Sequence, residues 1–298
     1  MLALPPSARF IMKIRRFSAI ALLSLTPLGQ TYAGWHIINF DAESGDRQAE
    51  FGSGNSIEGG MIKPKYDNTH ERLFFIVQGG ALKCKVHTEE GRNLAWIVYD
   101  DTEPETLNTT RPPGWEQFEY SAPLVIRARL TNLTSGSNGT PARGGILVGL
   151  SDSGPDASGL LFAIENSPSG SAEDDYLRLY SFKDGDLGSE LDSSIPFSFG
   201  SSTSPYFLQL TLSSSGSAIA YKLELFSDAS IPGSGSDQNR LLSSSFQTAT
   251  PVASIGGNLN DLYSKGFVGL LFESEPGSLT SGEIDIDSFF ISADPMTQ

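Results

Sequence analysis

The stretch from Gly266 to Ala293 reads GFVGLLFESEPGSLTSGEIDIDSFFISA, and its alternation of apolar and acidic residues decides the fold class. Phe267-Val268-Gly269-Leu270-Leu271-Phe272 is an unbroken apolar run of strand length, suited to a strand buried on both faces. A loop rich in Pro, Gly and Ser follows from Glu273 to Gly282. Glu283, Asp285 and Asp287 then alternate with Ile284 and Ile286, which puts three carboxylates on one face of a closing strand. Strict alternation adds Phe289 and Ile291 to the acidic face and Phe290 to the isoleucine face, unless a bulge intervenes.

The same texture extends back along the chain. Trp35 to Phe40 reads as a strand and runs into Asp41, Glu43 and Asp46. Short β-prone runs fill 57–99, including Leu73 to Val77 and Ala95 to Tyr99, and the three prolines between Asp100 and Gly114 mark a loop. Strands are predicted at Leu124–Leu130, Gly145–Leu150, Leu160–Glu165, Tyr176–Phe182, Tyr206–Leu212, Ala218–Phe226, Leu242–Phe246, Phe267–Phe272 and Glu283–Ile291. Gly, Ser, Asn and Asp turns separate them, Ser213–Ser217 and Ser234–Ser236 are loop tips, and no long segment keeps a helical period. The expectation is one all-β domain over 34–298, a two-sheet antiparallel sandwich.

The glycine-led GFVGL strand, the short loop and the closing IDIDSFFIS strand resemble the end of a concanavalin A-like lectin/glucanase domain, LamG-like domains included. The resemblance spans most of 35–293. It implies a jelly roll whose last strand returns beside the first, and a function from a superfamily that holds lectins, hydrolases, lyases and adhesive modules.

Residues 1–33 read as a secretory signal peptide. Lys13, Arg15 and Arg16 precede the apolar run Phe17 to Leu25, and Thr31-Tyr32-Ala33 offers a small-residue cleavage site. Met12 is a natural start, so residues 1–11 read as an extension. Loss of residues 1–33 takes Arg9, Lys13, Arg15 and Arg16 and no acid, moving the formal charge from −15 to −19. That charge argues against nucleic acid or an anionic membrane as partner. The mature chain carries no transmembrane segment in this reading and belongs outside the cytoplasm: secreted, periplasmic or on the cell surface. The lone Cys84 allows no internal disulfide, so about 265 residues must stabilise themselves through their core.

Three constellations could carry chemistry. Glu283, Asp285 and Asp287 resemble the Glu-x-Asp-x-Glu signature of retaining jelly-roll glucanases, in which two carboxylates about 5–5.5 Å apart act as nucleophile and acid/base. Asp287 stands where that signature has Glu, and the motif lies at the end of the chain. The resemblance also implies a structural Ca²⁺ between the first and last strands, for which Asp41, Glu43 and Asp46 would meet Asp285 or Asp287 and supply hard oxygens if the termini pair. On alternation, Arg127 and Arg129 share one strand face, and Tyr176, Arg178 and Tyr180 share another, with Glu165 nearby. Tyrosines stack on sugar rings and arginines fork onto carboxylates or hydroxyls. If these strands are neighbours on the concave sheet, they form a groove for a polysaccharide or glycan, acidic ones included. The leading expectation is a non-catalytic carbohydrate-binding protein. The alternatives are a polysaccharide hydrolase or lyase of the same fold, and a structural extracellular module that binds protein.

Overall fold

The computed structural model describes residues 35–39, 62–64, 73–78, 81–86, 94–99, 118–119, 123–134, 142–151, 156–166, 175–192, 195–197, 205–233, 237–260, 263, 265–273 and 283–292. All lie in the compact unit Gly34–Gln298. The strands are β1 Trp35–Asn39, β2 Ile62–Pro64, β3 Leu73–Gln78, β4 Ala81–Val86, β5 Leu94–Tyr99, β6 Phe118–Glu119, β7 Leu124–Thr134, β8 Ala142–Leu150 and β9 Gly159–Asn166. They continue with β10 Asp175–Lys183, β11 Asp186–Glu190, β12 Ile195–Phe197, β13 Tyr206–Ser215, β14 Ala218–Ser227, β15 Ala253–Asn260, β16 Lys265–Glu273 and β17 Glu283–Ser292. Two short helices, α1 Asp237–Leu242 and α2 Ser245–Thr248, lie between β14 and β15.

Two antiparallel sheets result. Sheet A runs β15-β14-β13-β7-β17-β4-β3, with β1 also on β17; sheet B runs β11-β10-β9-β8-β16-β5-β2, with β12 on β10 and β6 on β16. The first and last strands pair, Trp35 opposite Ser292 and Asn39 opposite Ser288. The chain is an all-β, two-sheet antiparallel jelly-roll sandwich, as expected from the closing strands. Among the described residues no helix is long and apolar enough to cross a membrane.

The inner faces follow from alternation. Leu124, Ile126, Ala128 and Leu130 of β7, Leu208, Leu210 and Leu212 of β13, and Tyr221, Leu223 and Leu225 of β14 stand on the inner face of sheet A. Ile146 and Val148 of β8, Leu160, Phe162 and Ile164 of β9, and Val268, Leu270 and Phe272 of β16 answer from sheet B. Phe162 meets Tyr221 across the gap at 5.2 Å between centroids. As predicted, β16 is buried on both of its faces.

The closing strand departs from strict alternation. The β17 register shifts between Asp285 and Ile286 and again between Ile286 and Ser288. Phe289 and Ile291 therefore join Ile286 in the inter-sheet core, while Phe290 turns outward opposite Arg127. The expected sharing of a face by Asp285, Phe289 and Ile291 is thus overturned by a bulge, which inverts every position beyond it.

The predicted strand Leu242–Phe246 is also corrected, because α1 ends at Leu242 and α2 begins at Ser245. This segment caps the other face of sheet A. Leu241 and Phe246 pack with Phe207, Phe226, Ile231 and Phe290 in a second apolar cluster, Phe246 standing edge-on to both Phe207 and Phe226. Tertiary burial outweighs a local pattern too short to separate helix from strand.

Arg127 latches this cap. It is 3% exposed and lies 4.0 Å from the Phe246 centroid. Its Nε donates to Gln209 Oε1 at 2.7 Å, and its Nη1 donates to the carbonyls of Leu241 and Ser243. Burial pulls the guanidinium down to about 10. Lysine has no planar fork to serve three acceptors at once. Arg127→Lys should therefore cost about 1.5–3 kcal/mol in chemical denaturation. It should also speed amide exchange over α1 and α2 while leaving β9 protected; unchanged exchange in the helices would refute the latch.

Candidate functional site on the concave face of sheet B

The face of sheet B turned away from sheet A is concave. Trp96 of β5 and Phe182 of β10 stand on strands four spacings apart, about 19 Å across a flat sheet. Their ring centroids nevertheless lie 5.3 Å apart, so the sheet curls toward this face. Its middle is apolar and buried, with Leu147, Leu161 and Leu271 beside that ring pair.

At one end of the face the apolar pattern gives way to charge. Glu273 of β16 sits opposite Arg143 of β8, Arg143 opposite Glu165 of β9, and Glu165 opposite Tyr176 of β10. Four neighbouring strands thus place a polar side chain at one level, which pairwise antiparallel register makes a continuous row. Arg178 and Tyr180 follow Tyr176 on the same face by the period of two.

Glu165, 3% exposed, is the hub. Its Oε1 accepts from Arg143 Nε at 2.7 Å and from the Tyr180 hydroxyl, and its Oε2 lies 3.6 Å from Arg178 Nε. Arg143 Nη1 donates to Glu273 Oε2 at 2.7 Å, and Arg178 Nη1 donates to Glu190 Oε2 at 3.1 Å from β11. The Arg178 guanidinium lies 4.3 Å from the Tyr176 ring centroid. Arg143, Arg178 and Tyr176 stay partly exposed over this buried carboxylate.

The electrostatics follow from that arrangement. Burial pulls the Arg143 guanidinium down, but the hydrogen bonds and charges of Glu165 and Glu273 more than reverse this and hold it above its ordinary value. Arg178 shows the same balance, with burial lowering it and the Glu165 charge leading the groups that raise it. Burial, reinforced by the Glu165 carboxylate, pushes the Tyr180 phenol up to about 12. Tyr180 is therefore a donor at neutral pH and holds no phenolate to act as base.

The structure brings Tyr176, Arg178, Tyr180 and Glu165 together and separates them from the other two residues expected in the groove. Arg127 and Arg129 lie in sheet A, on the face under the helical cap, where Arg129 Nη2 stands 3.8 Å from Asp228. They belong to a different sheet because β7 pairs with β13 and β17, not with β10. Sequence reasoning missed Arg143, Glu190 and Glu273. The available signal was an isolated charge at the end of each otherwise apolar strand, at Arg143 before Gly144-Gly145 and at Glu273 after Phe272.

The acids of the closing strand are placed less favourably for chemistry. Asp285 is buried on the cap side of sheet A, opposite Asn132, and pairs with Lys83 Nζ at 2.9 Å. β17 lies in sheet A, away from the concave face. The side chains of Glu283 and Asp287, and residues Asp41 and Glu43 entirely, lie outside the described residues. Among the described residues no three His, Cys, Asp or Glu side chains gather into a cation site.

No protein-family model matches the sequence, and no curated protein matches it. Solved structures do resemble it. Basic winged bean lectin with Tn-antigen superposes with a TM-score of 0.48 at 9% identity, covering 87% of this chain and 98% of the lectin. The CBM2 module of the evolved Dit protein of Lactobacillus casei BL23 phage J-1 gives 0.46 at 7%, covering 88% and 96%. Family 7 alginate lyase A1-II′ in complex with product gives 0.38 at 10%, covering 73% and 80%. These likenesses carry nothing about this chain's ligand, which rests on the row itself.

The raised Tyr180 phenol has a pH consequence. Its ordinary value is about 10. A phenol held at about 12 in the fold contributes stability that is fully present below pH 10 and lost as pH rises toward 12. In an alkaline ultraviolet titration one tyrosine should ionise late, and Tyr180→Phe should remove that late step. A wild-type titration with no late tyrosine would contradict the network.

Proposed function

We propose that the protein is an exported, non-catalytic carbohydrate-binding protein that lays a polysaccharide or glycan across the polar end of the concave face of sheet B. The observation that carries this reading is the Tyr176–Arg178 platform, partly exposed and braced from beneath by the buried Glu165. A flat ring with a guanidinium over it offers an apolar plane for a sugar ring and donors for its hydroxyls. Bracing matters because a side chain already locked in place has little rotamer entropy left to lose on binding.

Three carboxylates, Glu165, Glu190 and Glu273, face two guanidiniums, Arg143 and Arg178, so the row has no positive charge to spare. It suits neutral, hydroxyl-rich sugar units, each ion pair setting a donor beside an acceptor. The Oε1 of Glu165 already accepts from Arg143 and Tyr180, and Asp285 pairs with Lys83, which supports binding without turnover. The basic start and apolar run ahead of Trp35 support export to the periplasm, the cell surface or beyond.

Affinity electrophoresis in gels holding neutral polysaccharides tests the reading. Wild type should be retarded by at least one of them. Tyr176→Ala and Arg178→Ala should weaken retention by about tenfold with the melting temperature held near wild type. Passage unretarded through every gel would refute carbohydrate binding, and release of reducing ends from any of the polysaccharides would refute the non-catalytic assignment.

A further inference from the structure

A second opening lies at the other end of the same sheet, beyond Phe182. It is a cleft of about 680 Å³, within the range of small-ligand pockets. Strand ends and turns of β8, β9, β10 and β16 build it, and Ser151, Ser158, Ser181, Lys183 and Tyr263 supply the polar part of its lining. Among the described residues no carboxylate lines it. That is unusual in a chain with a formal charge of −15.

A count of protons shows what the cleft still has to offer. The Ser151 hydroxyl oxygen accepts from the Ser158 backbone N–H at 3.1 Å, and the Ser158 oxygen accepts from the Asp184 N–H at 2.9 Å. Each of these hydroxyls is used as an acceptor and keeps its own proton to donate. Ser181 spends its proton on the Ser189 carbonyl. Lys183 Nζ and the Tyr263 hydroxyl have no hydrogen-bond or ion-pair partner among the described residues. Lys83 and Lys222, by contrast, each pair with a carboxylate. Four donors, one of them cationic, therefore remain among the described residues of the lining, and the described acids Asp156, Asp184 and Asp186 lie exposed outside it.

We infer that this cleft is a second binding site, one that takes the carboxylate of an acidic sugar. Lys183 supplies the charge, and the serine and tyrosine hydroxyls supply hydrogen bonds to the carboxylate oxygens and the neighbouring ring hydroxyls. The sugar identity rests on the carbohydrate reading above; the preference for an anion rests on the cleft alone. The two sites divide the recognition, with hydroxyls read at the Tyr176–Arg178 platform and charge read at Lys183.

Isothermal titration calorimetry at low ionic strength tests this with D-glucuronate, D-glucose and inorganic phosphate as titrants, on wild type, Lys183→Met and Arg178→Ala. Lys183 is exposed, so its replacement leaves the fold in place. The expected result is binding of glucuronate and not glucose, weakened by about tenfold in Lys183→Met and unchanged in Arg178→Ala. Absence of heat with glucuronate, equal binding by Lys183→Met, or phosphate bound as tightly as glucuronate would each overturn the inference. Because the platform is read out through Arg178→Ala and the cleft through Lys183→Met, failure of one leaves the other standing.

Discussion

Both sheets depend on the pairing of the last two strands. β16 lies between β8 and β5 in sheet B, and β17 lies between β7 and β4 in sheet A, with β1 joining the same edge of β17 as β4. Neither sheet has a continuous ladder until Lys265–Ser292 is in place. The partners on one side, β7 and β8, are more than a hundred residues earlier, so the ladders that unify the fold are its most remote. Such contacts cost loop-closure entropy before they return burial, and only a strand apolar on both faces can offset that cost at the centre of a sandwich. The GFVGLLF run meets that requirement, which is why so short a stretch determines so much.

The two sheets then diverge in what they do with the face turned away from the core. Sheet A closes its own: α1 and α2 lie over it, and the apolar cluster of Phe207, Phe226, Phe246 and Phe290 makes it a second interior. Arg127 in that interior has its charge met by carbonyls and an aromatic ring. Sheet B leaves one end of its face partly open and lines it with ion pairs. A guanidinium on sheet A is therefore structural, and a guanidinium on sheet B is in a position to meet a ligand. Residue type alone does not distinguish the two.

That difference marks the limit of what was legible in the sequence. The strand runs from Leu124 onward, the burial of Phe267–Phe272 on both faces and the pairing of the chain's ends were all readable, because each rests on a local period or a closing motif. The face of Tyr176, Arg178 and Tyr180 was readable for the same reason. Their neighbours were not. Whether β7 or β9 lies beside β10 is set by non-local pairing, which leaves no trace in the alternation of either strand. Phe289 and Ile291 were misplaced by one bulge, and Leu242–Phe246 by a segment whose two large apolar residues serve a sheet it does not join. Arg143 and Glu273 were passed over because each stands alone at a strand end, and only the register Glu273–Arg143–Glu165–Tyr176 gives them a common purpose.

The row also shows how a sheet can hold a polar site beside a buried apolar one. An isolated carboxylate as deeply buried as Glu165 would be costly, and two guanidiniums and a phenol offset that cost. Each partner reaches the carboxylate from a strand position that alternation fixes, so the network is assembled by register and not by loop conformation. A ligand arriving above it meets groups whose geometry folding has already set, and whose charges are already met from below. A negative charge arriving there finds no unmatched partner, because two guanidiniums already face three carboxylates. A donor-rich cleft with Lys183 in its lining lies at the far end of the same sheet. One sheet thus presents two chemically distinct surfaces, separated by the Trp96–Phe182 pair that closes the middle of its concave face.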